Sequence, residues 1–258
     1  MPVIPVSHEK VASTLNHISS LYQNMGRHEE AIPYAIEAHE MRLEIFGPGH
    51  LNTIAAHSNT ARAYSGADRL EEAAETYRDV LAIFREEYGN ENFYIAGILQ
   101  SYGNVFLRMG DYSRAETIIR ESLEHSERLL PADHIRQSYP LKGLADALRK
   151  QGRFEEALSY AERAYALRSE LPGDNVSLIG ARFTLGICLW NLNRQDEAES
   201  HLNDALAFFK ARARSVFGSD CRTTGAGNSV ISSLLINVVE RTAHLHYFYL
   251  IKLSEKYD

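Results

Sequence analysis

Gly152-Arg153-Phe154-Glu155-Glu156-Ala157 decides the fold of this 258-residue chain, because it recurs. Gly26-Arg27-His28-Glu29-Glu30-Ala31 says the same thing earlier, and Asp68-Arg69-Leu70-Glu71-Glu72-Ala73 says it with the glycine replaced. Gly110-Asp111-Tyr112-Ser113-Arg114-Ala115 and Asn193-Arg194-Gln195-Asp196-Glu197-Ala198 are further echoes. The closing alanines stand at 31, 73, 115, 157 and 198, with gaps of 42, 42, 42 and 41. A fixed period in the range of about 20–50 residues is the mark of a repeat array.

Outward from each motif the pattern is helical. Before the first lie Leu15, Ile18, Leu21, Tyr22 and Met25, at steps of three and four that put them on one helix face. Gly26 ends that helix, and Ala31, Ala35, Ala38 and Leu43 form the inner stripe of the next. The second pair uses His57, Thr60, Ala61 and Tyr64, then Ala73, Tyr77, Val80, Leu81 and Phe84. The third uses Leu99, Tyr102, Gly103 and Phe106, then Ala115, Ile119 and Leu123. The fourth uses Leu141, Leu144, Ala145 and Leu148, then Ala157, Ala161, Ala164 and Leu167. The fifth uses Leu185, Gly186, Leu189 and Trp190, then Ala198, Leu202 and Ala205. Each unit is a helix, a tight turn and a longer helix. The small residues let two helices approach closely, and the carboxylates before each alanine sit where the helix dipole favours negative charge.

The chain therefore divides into a leader (1–10), five helix pairs (11–217), a loop rich in Gly, Ser and Thr (218–228) and a terminal segment (229–258). In that segment Ile231, Leu234, Leu235, Val238, Leu245, Phe248 and Tyr249 fall at helical steps. It reads as a capping helix over the last apolar face, with docking on a partner or a second copy as the rival reading.

Composition narrows the classes. Apolar residues make up 45% and charged residues 24%, as in an ordinary soluble protein. The formal charge is -7, opposite in sign to that of a duplex binder, so no nucleic acid is expected. The two cysteines, Cys188 and Cys221, do not make a secreted disulfide scaffold and point to the cytoplasm. Met1 to Lys10 has no signal-peptide core. Val230 to Leu253 is interrupted by Glu240, Arg241, His244 and His246, so no membrane span is expected either.

The motif, with Leu144-Ala145 or Leu185-Gly186 in the first helix and Tyr22 or Tyr64 one turn on, resembles the tetratricopeptide repeat. The 42-residue spacing, with Phe46-Gly47-Pro48-Gly49-His50 and Ala132-Asp133-His134 between units, is similar to the kinesin-light-chain class of that family. The resemblance covers roughly residues 11–212. It implies an all-α fold, a right-handed α-α superhelix whose first helices line a groove that holds peptides. On that reading the groove positions are Asn16, Ser20 and Gln23; Ser58, Asn59 and Arg62; Gln100, Asn104 and Arg108; Lys142, Asp146 and Arg149; and Phe183, Ile187 and Trp190.

The amides among them can bond a peptide backbone without demanding one side chain. Arg62, Arg108, Lys142 and Arg149 favour an acidic peptide or a terminal carboxylate, which arginine can hold with two parallel bonds. The lysine–asparagine clamp of the chaperone-binding subgroup is absent, since Lys142 is followed by Asp146 and Gln100 precedes Asn104. Of the asparagines that cargo-binding kinesin light chains carry, only Asn59 matches.

No His-Glu-x-x-His, Cys-x-x-Cys or phosphate-binding glycine loop occurs. His244 and His246 point to different sides of a helix, and Ser219-Asp220-Cys221 has no partner that spacing can assign. The expectation is a non-catalytic interaction scaffold for a protein or peptide, without cofactor or metal. A ligand-responsive sensor domain is the alternative and an unfamiliar enzyme the more distant one. Self-association through residues 229–258 is left open.

Overall fold

The computed structural model describes the backbone of residues 6–170 and 176–217. Among these residues stand ten α-helices and one 3-10 turn, with no strand. The chain divides into two compact units, Met1–Ala147 and Leu148–Asp258. The first holds α1 (Val6–Asn24), α2 (His28–Phe46), α3 (Leu51–Gly66), α4 (Leu70–Tyr88), α5 (Phe93–Met109), α6 (Tyr112–Leu129), the 3-10 turn Ile135–Gln137 and most of α7 (Ser138–Lys150). The second holds the end of α7, then α8 (Phe154–Ser169), α9 (Val176–Asn191) and α10 (Gln195–Phe217). From α1 to α6, and again from α8 to α10, each helix packs on the next in sequence. The loop and capping helix expected over 218–258 lie outside the described residues.

The repeated motif builds the turn inside each pair. Gly26, Gly110 and Gly152 all have φ near +80°, and so, at 65° and 61°, do Asp68 and Asn193, which replace glycine in the other two copies. That left-handed residue redirects the chain after the first helix. The arginine that follows then accepts the first amide of the second helix, from Ala31, Ala73, Ala157 and Ala198 to Arg27, Arg69, Arg153 and Arg194. Each guanidinium reaches forward to the glutamate three residues on. Arg153–Glu156 is 2.6 Å and Arg194–Glu197 2.7 Å, and Arg27–Glu30 and Arg69–Glu72 are paired alike. Arg27 also lies 4.7 Å over the Tyr22 ring and Arg69 4.8 Å over that of Tyr64. The second glutamate of the motif is thus the arginine's partner as well as a dipole match.

Gly152 has nothing within 4 Å of where a Cβ would stand, so its role is conformational alone. Gly152→Ala should lower stability by about 1 kcal/mol, the cost of holding an L-residue in the left-handed region. Asn193→Gly should leave stability equal or raise it. Urea titration followed by circular dichroism checks both, and equal losses in the two variants would remove the conformational account.

The first helices start on a second periodic device. His50 Nδ1 accepts from the Asn52 amide at 3.1 Å, Asn92 Oδ1 from Tyr94 at 3.0 Å, and His134 Nδ1 from Arg136 at 3.2 Å. These caps are spaced by the same 42 residues. The stretches ending at His50 and His134, which read from sequence as simple breaks, also satisfy open amides at a helix start.

Packing follows the small residues. The alanines 31, 73, 115, 157 and 198 are fully buried. A Cβ on Gly103 would stand 2.3 Å from Ile119 Cγ1, and one on Gly186 2.8 Å from Leu202 Cγ. Between α2 and α3 the His39 and His57 rings stack, 4.2 Å apart and 4° from parallel.

Helix α1 departs from the expected pattern. It begins at Val6, inside the expected leader. Leu21 and Met25, assigned by periodicity to the inner stripe, are exposed, whereas Ala12 and Ser19 are buried. The physical reason is that α1, first in the array, is followed by α2 but preceded by no helix among the described residues.

Candidate functional site

Two adjoining cavities open on the first unit. One, of about 620 Å³, lies among Asn16 of α1, Leu51 to Arg62 of α3, Tyr77 and Phe84 of α4, and the first half of α5. The other, of about 480 Å³, lies between α5, Ser122 and Ser126 of α6, and the Ile135–Pro140 stretch. They share Tyr94, Gly97 and Ser101. Gly97 has no atom within 4 Å of a notional Cβ, so the floor stays open where the cavities meet. Volumes in this range suit a folded ligand or a few residues of peptide.

At one end, four residues named from the sequence come together. Asn59 Nδ2 donates to Asn16 Oδ1 at 2.8 Å, and Gln23 Nε2 to Asn59 Oδ1 at 3.2 Å. Arg62 donates from Nε to Gln23 Oε1 at 2.7 Å and from its terminal nitrogen to Asn59 Oδ1 at 2.5 Å. This network joins α1 to α3 and fixes the Arg62 side chain through neutral oxygens. Its charge therefore meets no carboxylate partner among the described residues.

The other named residues fare differently. Ser20 turns its hydroxyl onto the Asn16 carbonyl at 2.9 Å, and Ser58 onto Ile54 at 2.9 Å. Gln100 Nε2 donates to Asn104 Oδ1 at 3.0 Å, while Gln100 Oε1 is buried with no partner. Arg108 bonds Ser65 and pairs with Asp68 at 2.8 Å, back on the α3–α4 turn. Lys142 is paired with Asp146 at 2.6 Å. Arg149 and Ile187, both read from sequence as groove positions, are buried. Asn104, Arg108, Lys142, Asp146 and Arg149 line neither cavity.

Residues near the helix starts line the cavities as well. Tyr94 and Tyr139 are exposed large side chains at the cavities, as is Leu51. Arg136 is exposed and lies 4.7 Å over the Phe93 ring, with no carboxylate partner among the described residues. The period could have found them: Asn52, Tyr94 and Arg136 form one column of equivalents, and Ala55, Gly97 and Tyr139 the next. Burial pushes the Tyr77 phenol up, so it remains a protonated donor at the cavity wall.

None of the residues lining either cavity is Asp or Glu, although the chain carries 34 of them. The lining carries two arginines, apolar rings, amides and hydroxyls. The lining holds no carboxylate pair, no histidine and no cysteine. Among the described residues no three of His, Cys, Asp and Glu stand close enough to hold a metal, and no helix is long and apolar enough to cross a membrane.

A tetratricopeptide repeat family model matches residues 10–86, 94–170 and 140–211. No curated protein matches the chain. Among solved structures it is similar to a putative kinesin light chain with nearly identical TPR-like repeats from Podospora anserina, at 18% identity and a TM-score of 0.64, over 80% of this chain and 98% of that one. BtubC (BKLC) from P. vanneervenii aligns at 23% identity and 0.68, over 81% and 83%. The protein pilF of Pseudomonas aeruginosa aligns at 16% and 0.57, over 95% and 99%. At these identities the structures show a shared fold alone. With most of its helix pairs matched by the family model, the chain belongs to the tetratricopeptide repeat family.

Proposed function

We propose that the chain is a non-catalytic interaction module that holds an acidic peptide, or an acidic segment of a partner protein, across the joined cavities. The carrying observation is the lining: two arginines without carboxylate partners among the described residues, and no acidic side chain, within a protein of net charge -7. Arg62 and the amides of Asn16, Gln23 and Asn59 bind one end of the segment, and Arg136 the other. Gln100 Oε1, a buried acceptor lacking a donor, is suited to a ligand amide, because an unmet acceptor costs about 1–3 kcal/mol. The family supports the coarser reading, since its members are typically protein-interaction scaffolds. Asn104, Arg108, Lys142, Asp146 and Arg149 carry no part in this version of the site. A cytoplasmic location belongs to the same proposal and rests on there being only two cysteines in the sequence, of which Cys188 is buried.

Panning a random peptide library on the full chain tests it. Enriched peptides should be rich in Asp and Glu, and Arg62→Glu or Arg136→Glu should each weaken a selected peptide about tenfold or more, the worth of one charge-assisted bond. Enrichment of neutral or basic peptides would overturn the acidic preference. Failure to enrich any peptide would remove the groove.

A further inference from the structure

Gly97 stands in the second turn of α5, where glycine weakens a helix relative to alanine because the unfolded chain loses more freedom on ordering. Other glycines inside the first helices have a packing reason. A Cβ would meet Ile119 Cγ1 at 2.3 Å on Gly103, Gln100 Nε2 at 2.8 Å on Gly143 and Leu202 Cγ at 2.8 Å on Gly186. On Gly97 it would meet no described atom within 4 Å. The residue is exposed, and its φ is not positive. Neither packing nor backbone conformation among the described residues asks for glycine here. What the missing side chain leaves is room, and the room lies where the two cavities meet. Glycine in such a place lets another backbone come close.

The polar groups beside it point the same way. The Gly97 carbonyl accepts from Ser101 Oγ at 3.0 Å, and that of Ala96 from Ser122 Oγ at 2.7 Å, so these floor carbonyls already have donors. Gln100 Oε1 differs, being a buried acceptor with no partner. Gln100 lies three residues beyond Gly97, on the same face of α5 and lining the same cavity. The donor that every peptide residue except proline brings is its backbone N–H. Along the period Ala55, Gly97 and Tyr139 are equivalents. The floor is therefore low on α3 and α5 and ends at a large exposed residue on α7.

We infer that Gly97 is the crossing point of the groove. The bound acidic segment is extended there, its main chain lies in contact with α5, and one of its backbone amides donates to Gln100 Oε1. The inference rests on the acidic-peptide reading above. It adds that the middle of the segment is read through its backbone, while the arginines read charge at the ends.

The probe is a peptide enriched by panning on the full chain, with copies that each carry one N-methylated residue. Gly97→Ala should raise the thermal midpoint by about 2–4 °C. The same variant should weaken the peptide about tenfold or more, because its methyl group enters the space of the peptide chain. Gly97→Leu should abolish binding with an unchanged helical spectrum. N-methylation at one central residue should cost the wild type about tenfold in affinity. It should make little difference to Gln100→Met, which keeps the length of the side chain and lacks the amide oxygen. Gly97→Ala binding as tightly as the wild type overturns the inference and leaves the acidic preference standing. So does an N-methyl penalty that persists undiminished in Gln100→Met. A lowered midpoint in Gly97→Ala would place another part of the chain on the glycine, which equally overturns it. If panning enriches no peptide, the groove reading falls and the inference with it.

Discussion

Ile119→Ala is expected to cost about 2–5 kcal/mol, the range for emptying a fully buried aliphatic site. Ile119 is a wedge held between two glycines. Its Cγ1 stands 2.3 Å from where a Cβ on Gly103 would be, and its Cγ2 and Cδ1 3.2 Å from one on Gly143. The first glycine is on α5 and the second on α7, and beside the second Ile119 shares the space with Gln100, whose Nε2 would stand 2.8 Å from that Cβ. Gly103→Ala alone should cost about 1–3 kcal/mol, since the added carbon has nowhere to go. Combined with Ile119→Ala it should cost less than the separate effects together, because the new methyl enters the space just vacated. A double-mutant cycle from urea unfolding should give a coupling of about 1 kcal/mol or more. Simple additivity would mean that helix approach at this joint is set elsewhere.

Acid should weaken the α2–α3 contact well before it reaches the surface clasps. Burial drives the His57 imidazole down to about 4, the stacked His39 adds to this, and Asp79 on α4 pulls the other way. His39 is lowered too, by burial against the opposing pull of Glu40. Both rings are therefore neutral in the fold at pH 7, whereas in the unfolded chain they gain protons near 6.5. As pH falls through 6.5 the unfolded state takes up protons that the native state refuses, and stability declines until about pH 4. At about 1.4 kcal/mol per pH unit, discounted for the open edge of a half-buried ring, the loss from His57 is about 2 kcal/mol. The glutamates of the arginine clasps sit in a lower window. Glu30, Glu72 and Glu197 are all held below the ordinary 4.5 by hydrogen bonds from their arginines. His57→Gln should flatten the slope between pH 6.5 and 4 and leave the steeper fall below it. An unchanged slope in that variant would place the acid sensitivity elsewhere.

The helix pairs were legible because their determinants are local and repeat. A left-handed residue, an arginine and a buried alanine recur at fixed spacing, and each is set by its own turn. The open face of α1 was not legible, because periodicity reports which stripe a helix would bury and not whether a neighbour is there to bury it. Leu21 and Met25 fit the inner pattern and remain exposed. Of the groove positions read from sequence, Asn16, Ser58, Asn59, Arg62 and Gln100 line the cavities, and Arg108 and Lys142 do not. Arg108 and Lys142 are solvated cations on a helical wheel, but their reach brings them to Asp68 and Asp146. Tyr94 and Arg136 stand at helix starts, where a sequence reading sees capping and no surface. Asn59 was found by comparison with a family pattern, yet its partners Asn16, Gln23 and Arg62 are explained only by the distance across α1 and α3.

The carboxylate-free lining also has a consequence for how the proposed acidic segment would arrive. A molecule of net charge -7 repels an approaching anion from afar, and only inside about one Debye length do Arg62 and Arg136 reverse the sign. Added salt therefore relaxes the distant barrier while weakening the final grip. If the proposed acidic segment is the ligand, its encounter should quicken and its residence shorten together, a selection made at close range without long-range guidance.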